Sequence, residues 1–357
     1  MSSNSIEINQ LNHAASTVVI AETPFSFALG AIGLIFNVLI FTRPSLRNEP
    51  CSLYFFSSTC CSLFVVFVSM PVRFLASVYN IDTAYYNRGI CKIETFAFYS
   101  ARTIACWLIT CACADRFFHS SLNANIRRLS SLKIAKWTIG IISVTITILY
   151  SHMIVYYDII NVSDRFGNIT PTCNGPVGIY RSIVAFWYLI LYSLCPSFLM
   201  LLFGFLTLNN IRRHRRAVSN VPRTNQILRR TDNQLLRMLI TQVFMIIIAT
   251  LPFSIYQLYT AFTSSFTKST LRIAQENLAG RITGVITYFA HTTSFYLYTL
   301  TGTIFRKEFF KIIQRCRHPT RNIVHSTQTN TQIMPIMPSN RKTTTIQSGY
   351  VQKTVIQ

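Results

Sequence analysis

Acidic side chains are scarce in this chain: 11 Asp and Glu stand against 33 Lys and Arg in 357 residues, and charged residues of both signs reach only 12%. A soluble domain carries about twice that share, which excludes an ordinary water-exposed surface. No CxxC pair occurs, so a zinc site of the usual spacing is excluded. Nor is there a phosphate-cradling glycine loop, a metal-ligand cluster or a nucleophile with its base, which argues against an enzyme and against a bound cofactor. The first twenty-two residues have no basic start followed by a long apolar run, so no cleaved signal peptide is expected. Internal repeats and acids midway along the apolar segments, which a transporter would want, are missing too.

Half of the residues are hydrophobic, and they fall into seven long apolar spans near 24–43, 52–76, 93–117, 134–157, 179–208, 236–260 and 279–302. Each is about twenty residues or longer, enough to cross a bilayer as a helix. Helices are required there, because lipid offers no partner for unpaired backbone groups. An odd number of spans puts the termini on opposite sides. With the N-terminus outside, the inner face collects Arg43 and Arg47, the group from Arg116 to Lys136, eight arginines from Arg212 to Arg237, and every Lys and Arg from Arg306 onward, 24 of the 33 in all. That asymmetry predicts an extracellular N-terminus. It also accounts for the net charge of +22 without a nucleic-acid partner, since the arginines flank membrane spans and do not line a basic groove.

The third span organises the reading. From Cys91 to Arg116 it covers roughly 37 Å at helical rise, with a cysteine at one face and Asp115-Arg116-Phe117 at the other. The loop after span four holds Cys173 and two glycosylation acceptors, Asn161-Val-Ser and Asn168-Ile-Thr. Cys91 is the other cysteine clearly at the outer face, and an oxidising exterior would join it to Cys173. After span seven, Phe305, Phe309, Ile312 and Ile313 recur at helical spacing opposite Arg306, Lys307, Lys311 and Arg315. This predicts a short amphipathic helix, 303–316, along the inner leaflet and its lipids. Cys316 at its end is a candidate for lipidation. The Thr-, Ser- and Gln-rich stretch 317–357 reads as a disordered cytoplasmic tail.

Asn37 in span one, Trp137 in span four, Pro196 in LCPSF, Pro252 in TLPF and Tyr298 in span seven follow one another at the spacing of a known family. Taken with the seven spans and the Asp-Arg-Phe triplet, the chain resembles a class A (rhodopsin-like) G-protein-coupled receptor over roughly residues 20 to 316, closest in flavour to invertebrate receptors of the FMRFamide type. The resemblance implies an all-α seven-helix membrane bundle in the plasma membrane, with segment 1–22 outside and a receptor domain over 23–316. It implies a helix-packing role for Asn37, Trp137, Pro196 and Pro252. A peptide ligand outside and a heterotrimeric G protein inside follow from it, with arrestin-like proteins at the tail. Arg116 would be the coupling residue, held by Asp115 and by a second clamp from Asp232, with Phe117 and Tyr298 in the same switch.

Several positions depart from the family pattern. Cys60-Cys61 stands where an aspartate is usual in span two, Thr250 replaces a tryptophan in span six, Gly204 and Phe205 occupy the place of a span-five tyrosine, and Ser294 to Tyr298 replaces Asn-Pro-x-x-Tyr. Span seven has no lysine, which excludes a retinal Schiff base. Where amine receptors carry an aspartate in the upper half of span three, this chain has Arg102. Arg102 could face a ligand carboxylate or carbonyl, or could bond helix carbonyls and water. Glu94, Tyr99, Tyr256 and Gln257 complete the predicted ligand-binding set. A receptor that binds without signalling is the alternative.

Overall fold

The computed structural model describes residues 3–79, 81–163, 169–176, 178–217, 224–264 and 266–317. It is a helical bundle. The helices are α1 (Ser3–Phe41), α2 (Pro50–Val78), α3 (Arg88–His119), α4 (Leu132–Tyr156), α5 (Ile179–Arg213, running on to Ala217) and α6 (Thr224–Phe262). The last are α7 (Thr270–Thr292, continued by Ser294–Thr301) and α8 (Thr303–Arg317). Among the described residues, α1 to α6 are long and apolar enough to cross a membrane. The N-terminal half of α7 carries Arg272, Glu276 and Arg281, which makes it more polar than those six spans.

Helix starts follow local chemistry. The Asn87 side chain accepts from the N–H groups of Gly89 (2.9 Å) and Ile90 (3.2 Å) to open α3. Ser131 and Ser269 accept in the same way at the starts of α4 and α7, satisfying donors that a first turn leaves free. In α5 a π turn at Leu189–Leu194 precedes Pro196. Proline has no N–H to return to the preceding turn, and the Leu191 carbonyl accepts instead from Trp107 Nε1 of α3 at 2.8 Å.

Two readings of the sequence are corrected. The first helix begins at Ser3, not near residue 24, so stretch 1–22 is not a separate segment from the described Ser3 onward. Its buried positions Asn12, Ala15, Val19, Thr23 and Ser26 fall at helical spacing. Several of them are polar, which hid the helix from hydropathy. This stripe faces α7, where Asn277 Nδ2 donates to Asn12 Oδ1 at 3.5 Å. Deeper in the membrane, Gly30 lets α1 and α7 touch: a Cβ there would lie 2.6 Å from Thr292 Cγ2.

The second correction concerns the packing residues. Asn37 and Pro196 are buried, and Asn37 Nδ2 donates to Ser294 Oγ at 3.0 Å. Trp137 is 68% exposed. The buried face of α4 is Ala135, Ile146 and Tyr150, and two residues beyond Ala135 lies about 200° around the helix, so Trp137 points away from the bundle. Pro252 is exposed as well, on the outer surface of α6.

The loop between α4 and α5 forms an antiparallel hairpin, β1 (Asp158–Ser163) with β2 (Ile169–Asn174), with Ile159 opposite Cys173. Cys173 is disulfide-bonded to Cys91 at the top of α3. The described residues up to Phe310 form one compact unit, and the end of α8 from Lys311 falls outside it. Within the unit, Phe305 stacks near Phe41 (5.5 Å between ring centroids) and Tyr298 (5.7 Å), and Phe309 near Phe36 (5.1 Å) and Phe295 (5.3 Å). That contact seats the start of α8 on α1 and α7.

Serine at both Cys91 and Cys173 should destabilise the receptor by about 2–5 kcal/mol, lowering its melting temperature and surface yield. Unchanged melting would mean that the hairpin is held by packing alone.

Candidate functional site

The C-terminal end of α3 carries an ion pair out of water. Asp115 and Arg116 are each 4% exposed. Arg116 Nη2 lies 3.4 Å from Asp115 Oδ2 and 3.8 Å from Glu49 Oε2, and Asp115 Oδ1 accepts from Ser130 Oγ at 2.8 Å. Glu49 precedes Pro50, the first residue of α2, so the guanidinium is shared between two helices. Sequence reasoning missed Glu49, because its link to Arg116 spans sixty-seven positions and no motif marks it. The predicted clamp from Asp232 lies outside the described side chains. Phe117 packs on Phe118 and on Phe203 of α5, at 5.6 and 5.9 Å. Tyr298 is buried among Phe41, Phe55 and Phe305. An apolar cavity of about 200 Å³ adjoins Arg116, walled by Met200 and Gly204 of α5 and by Leu239 and Val243 of α6.

At the opposite end, α1, α2, α3, α5, α6, α7 and β2 enclose a cavity of about 660 Å³. A volume of that order suits a ligand site. Of the predicted ligand residues, Tyr99, Arg102 and Gln257 line it. Glu94 and Tyr256 do not, and this corrects the sequence reading. Glu94 turns sideways to Arg73 of α2, at 3.7 Å. Tyr256 donates its hydroxyl to the Glu276 carbonyl at 2.9 Å and lies against Gly280; it ties α6 to α7 behind the wall. The disulfide positions β2 so that Cys173 and Asn174 form part of the lining.

Arg102 projects into this space from α3. Its Nη2 donates to Ser69 Oγ at 3.4 Å, and the guanidinium carbon sits 5.0 Å from the centroid of the Tyr288 ring. On the far side Glu276 gathers Lys268 Nζ (2.6 Å), Arg272 Nε (3.2 Å) and the Tyr259 hydroxyl (2.8 Å). None of these α7 contacts was expected, since acids and bases brought together across the α6–α7 turn leave no spacing signal.

Between the two ends lies a polar seam. His291 of α7 is 3% exposed and shares hydrogen bonds with Ser62 of α2 (3.2 Å) and Tyr192 of α5 (3.5 Å). Ser193 and Thr250 share another at 3.2 Å, joining α5 to α6 at the position where the span-six tryptophan is replaced. Gln242 Nε2 donates to the Ala290 carbonyl at 3.4 Å. Of the modification candidates, Asn161 is exposed on β1. Asn168 and the side chain of Cys316 lie outside the described residues.

A family model described as 7 transmembrane receptor (rhodopsin family) matches residues 34–300. Neuromedin-U receptor 2 from Mus musculus is 23% identical over 294 residues, which covers 80% of this chain and 73% of that receptor.

Removing one member of a buried pair leaves the other charge stranded. Asp115→Ala should therefore lower the melting temperature clearly, with a cost on the order of 3–5 kcal/mol. Glu49, 47% exposed at its side chain, belongs to the class of pairs that contribute about 0–1 kcal/mol, and Glu49→Gln should melt nearly as the parent does. Equal losses would contradict this ranking of the two acids.

Proposed function

The chain belongs to the rhodopsin family of seven-transmembrane receptors, and we propose that it binds an extracellular neuropeptide and promotes nucleotide exchange on a heterotrimeric G protein. It is a multi-pass membrane receptor and not an enzyme. The observation that carries the signalling reading is the buried Asp115–Arg116 pair at the opposite end of α3 from a large cavity. A receptor that only captured its ligand would not need that pair. The similar mouse protein is by its name a receptor for neuromedin-U, which supports a peptide over an amine, as does Arg102 in place of an aspartate. A finer alternative is an FMRFamide-type peptide, which would bring an amide and not a carboxylate to the cavity.

In this reading the closed bundle holds Arg116 against Asp115 and Glu49. Agonist in the outer cavity favours a second state in which α6 moves away from α3, releasing Arg116 and opening the apolar space beside it to a G-protein helix. A ligand shifts such an equilibrium only through its differential affinity for the two states. The cavity touches six of the seven spans, so a change in their spacing changes its shape. Asp232, Phe117 and Tyr298 are proposed to act in the same switch. The plasma membrane is the proposed location, with the start of α1 outside. The proposed inner-face contacts are arrestin-like proteins at the 317–357 tail, lipid headgroups along the arginine-rich stretch before α6, and use of Cys316 for lipidation. Asn161 and Asn168 are proposed as glycosylation sites on the outside.

Arg116→Ala strands the buried Asp115 and should lower surface yield as Asp115→Ala does, but counted per surface receptor it should abolish G-protein activation while ligand affinity stays near the parent value. Activation per receptor at the parent level would mean that Arg116 holds the bundle together and does not transmit the signal.

A further inference from the structure

The outer cavity is lined by five cations, Arg73, Arg102, Arg181, Lys268 and Arg281, and by one acid, Glu276. Glu276 is committed to Lys268 and Arg272, and Arg73 is held by Glu94. Arg102 is different. Among the described residues no carboxylate lies within ion-pair distance of it. Its contacts are the Ser69 hydroxyl and Tyr288, which offers both its ring and a side-chain hydrogen bond, with Tyr188 and Tyr192 close by, and its Nε is buried without a hydrogen-bond partner. A guanidinium presents a fixed fork of donors matched to a carboxylate. Here the fork is half-buried, with its Nε sealed off without a partner, and it lacks an acid to match it, an arrangement that an arriving anion would complete.

We infer that the ligand's inserted end carries a carboxylate, received by Arg102 at the floor of the cavity. This rests on the reading of that cavity as the ligand site. Depth argues for a peptide as the source. Arg102 lies eleven residues below Cys91, about 16 Å along α3, and an extended chain of about five residues spans that distance at ~3.3 Å per residue. A small anion could satisfy Arg102 but would leave the space between it and the β2 wall unfilled. The remaining cations of the wall, of which Arg181 also has no acid within ion-pair distance among the described residues, favour entry of a negatively charged end over an amidated or basic one.

The test uses thermal melting of the full-length receptor in nanodiscs, parent and Arg102→Met, with no G protein present. Without ligand, Arg102→Met should melt at or above the parent temperature, because a half-buried guanidinium without an acid partner has been removed. Melting below the parent would show that Arg102 is structural and would overturn the inference. The probes are a tetrapeptide library made in matched free-acid and C-terminal amide forms, together with succinate and UTP. Stabilising probes should fall in the free-acid set, with affinity reduced at least ~10-fold in Arg102→Met. Stabilisation by amides, or by acids equally in both proteins, would overturn it. Stabilisation by succinate or UTP alone would uphold the anion site and overturn the peptide as its source. If no probe stabilises the parent, the inference is overturned. Because neither readout involves signalling, failure here is separable from failure of G-protein coupling.

Discussion

Hydrocarbon cannot accept or donate a hydrogen bond, and the bundle is arranged around where its polar side chains meet instead. Asn37 reaches Ser294, Ser58 donates to the Ala105 carbonyl at 3.0 Å, Thr103 to the Tyr150 hydroxyl at 3.1 Å, and Trp107 to Leu191. These contacts tie α1 to α7, α2 to α3, α3 to α4, and α3 to α5. Each is modest alone. Jointly they fix which faces of α1 to α5 and α7 turn inward, and that in turn places Arg102 in the cavity and Arg116 against its acids.

The seam also gives a physical route between the two ends. Tyr192 and Ser62 meet at His291, and Tyr192 belongs to the ring of tyrosines near Arg102. Ser193, the next residue, joins Thr250 of α6, in the turn that leads to Pro252. A ligand that repositions the tyrosines around Arg102 therefore acts on contacts of α5, α6 and α7 together. The departures from the family pattern fall along this path: Thr250 stands in for a tryptophan, and His291 with Ser62 forms the polar centre next to Cys61, where an aspartate is usual. Altered residues here are consistent with a switch rebuilt from smaller polar groups.

Much of this was readable from the chain alone, and the misses have physical causes. The seven spans, the outer cysteine pair and Asp115-Arg116 are each encoded by composition or by position relative to a span end. The upstream extent of α1 was hidden because its buried stripe is part polar and hydropathy counts only apolar residues. Trp137 was misassigned because a tryptophan in a membrane helix has equal reason to face lipid, and only the phase of Ala135, Ile146 and Tyr150 decides. Glu49, Glu276 and His291 act across helices, where sequence spacing carries no information. Glu94 and Tyr256 sit at the right height but on the wrong side of the wall, a difference of helix rotation that one sequence does not encode.

The central claim is that occupancy of the outer cavity releases Arg116 to a G protein. The direct measurement is GDP release from a purified heterotrimer mixed with the nanodisc receptor, with and without a peptide that binds it saturably. The account predicts that the peptide accelerates release in proportion to occupancy. Saturable binding with release held at the receptor-free rate would contradict it and would make this chain a receptor that captures its ligand without signalling.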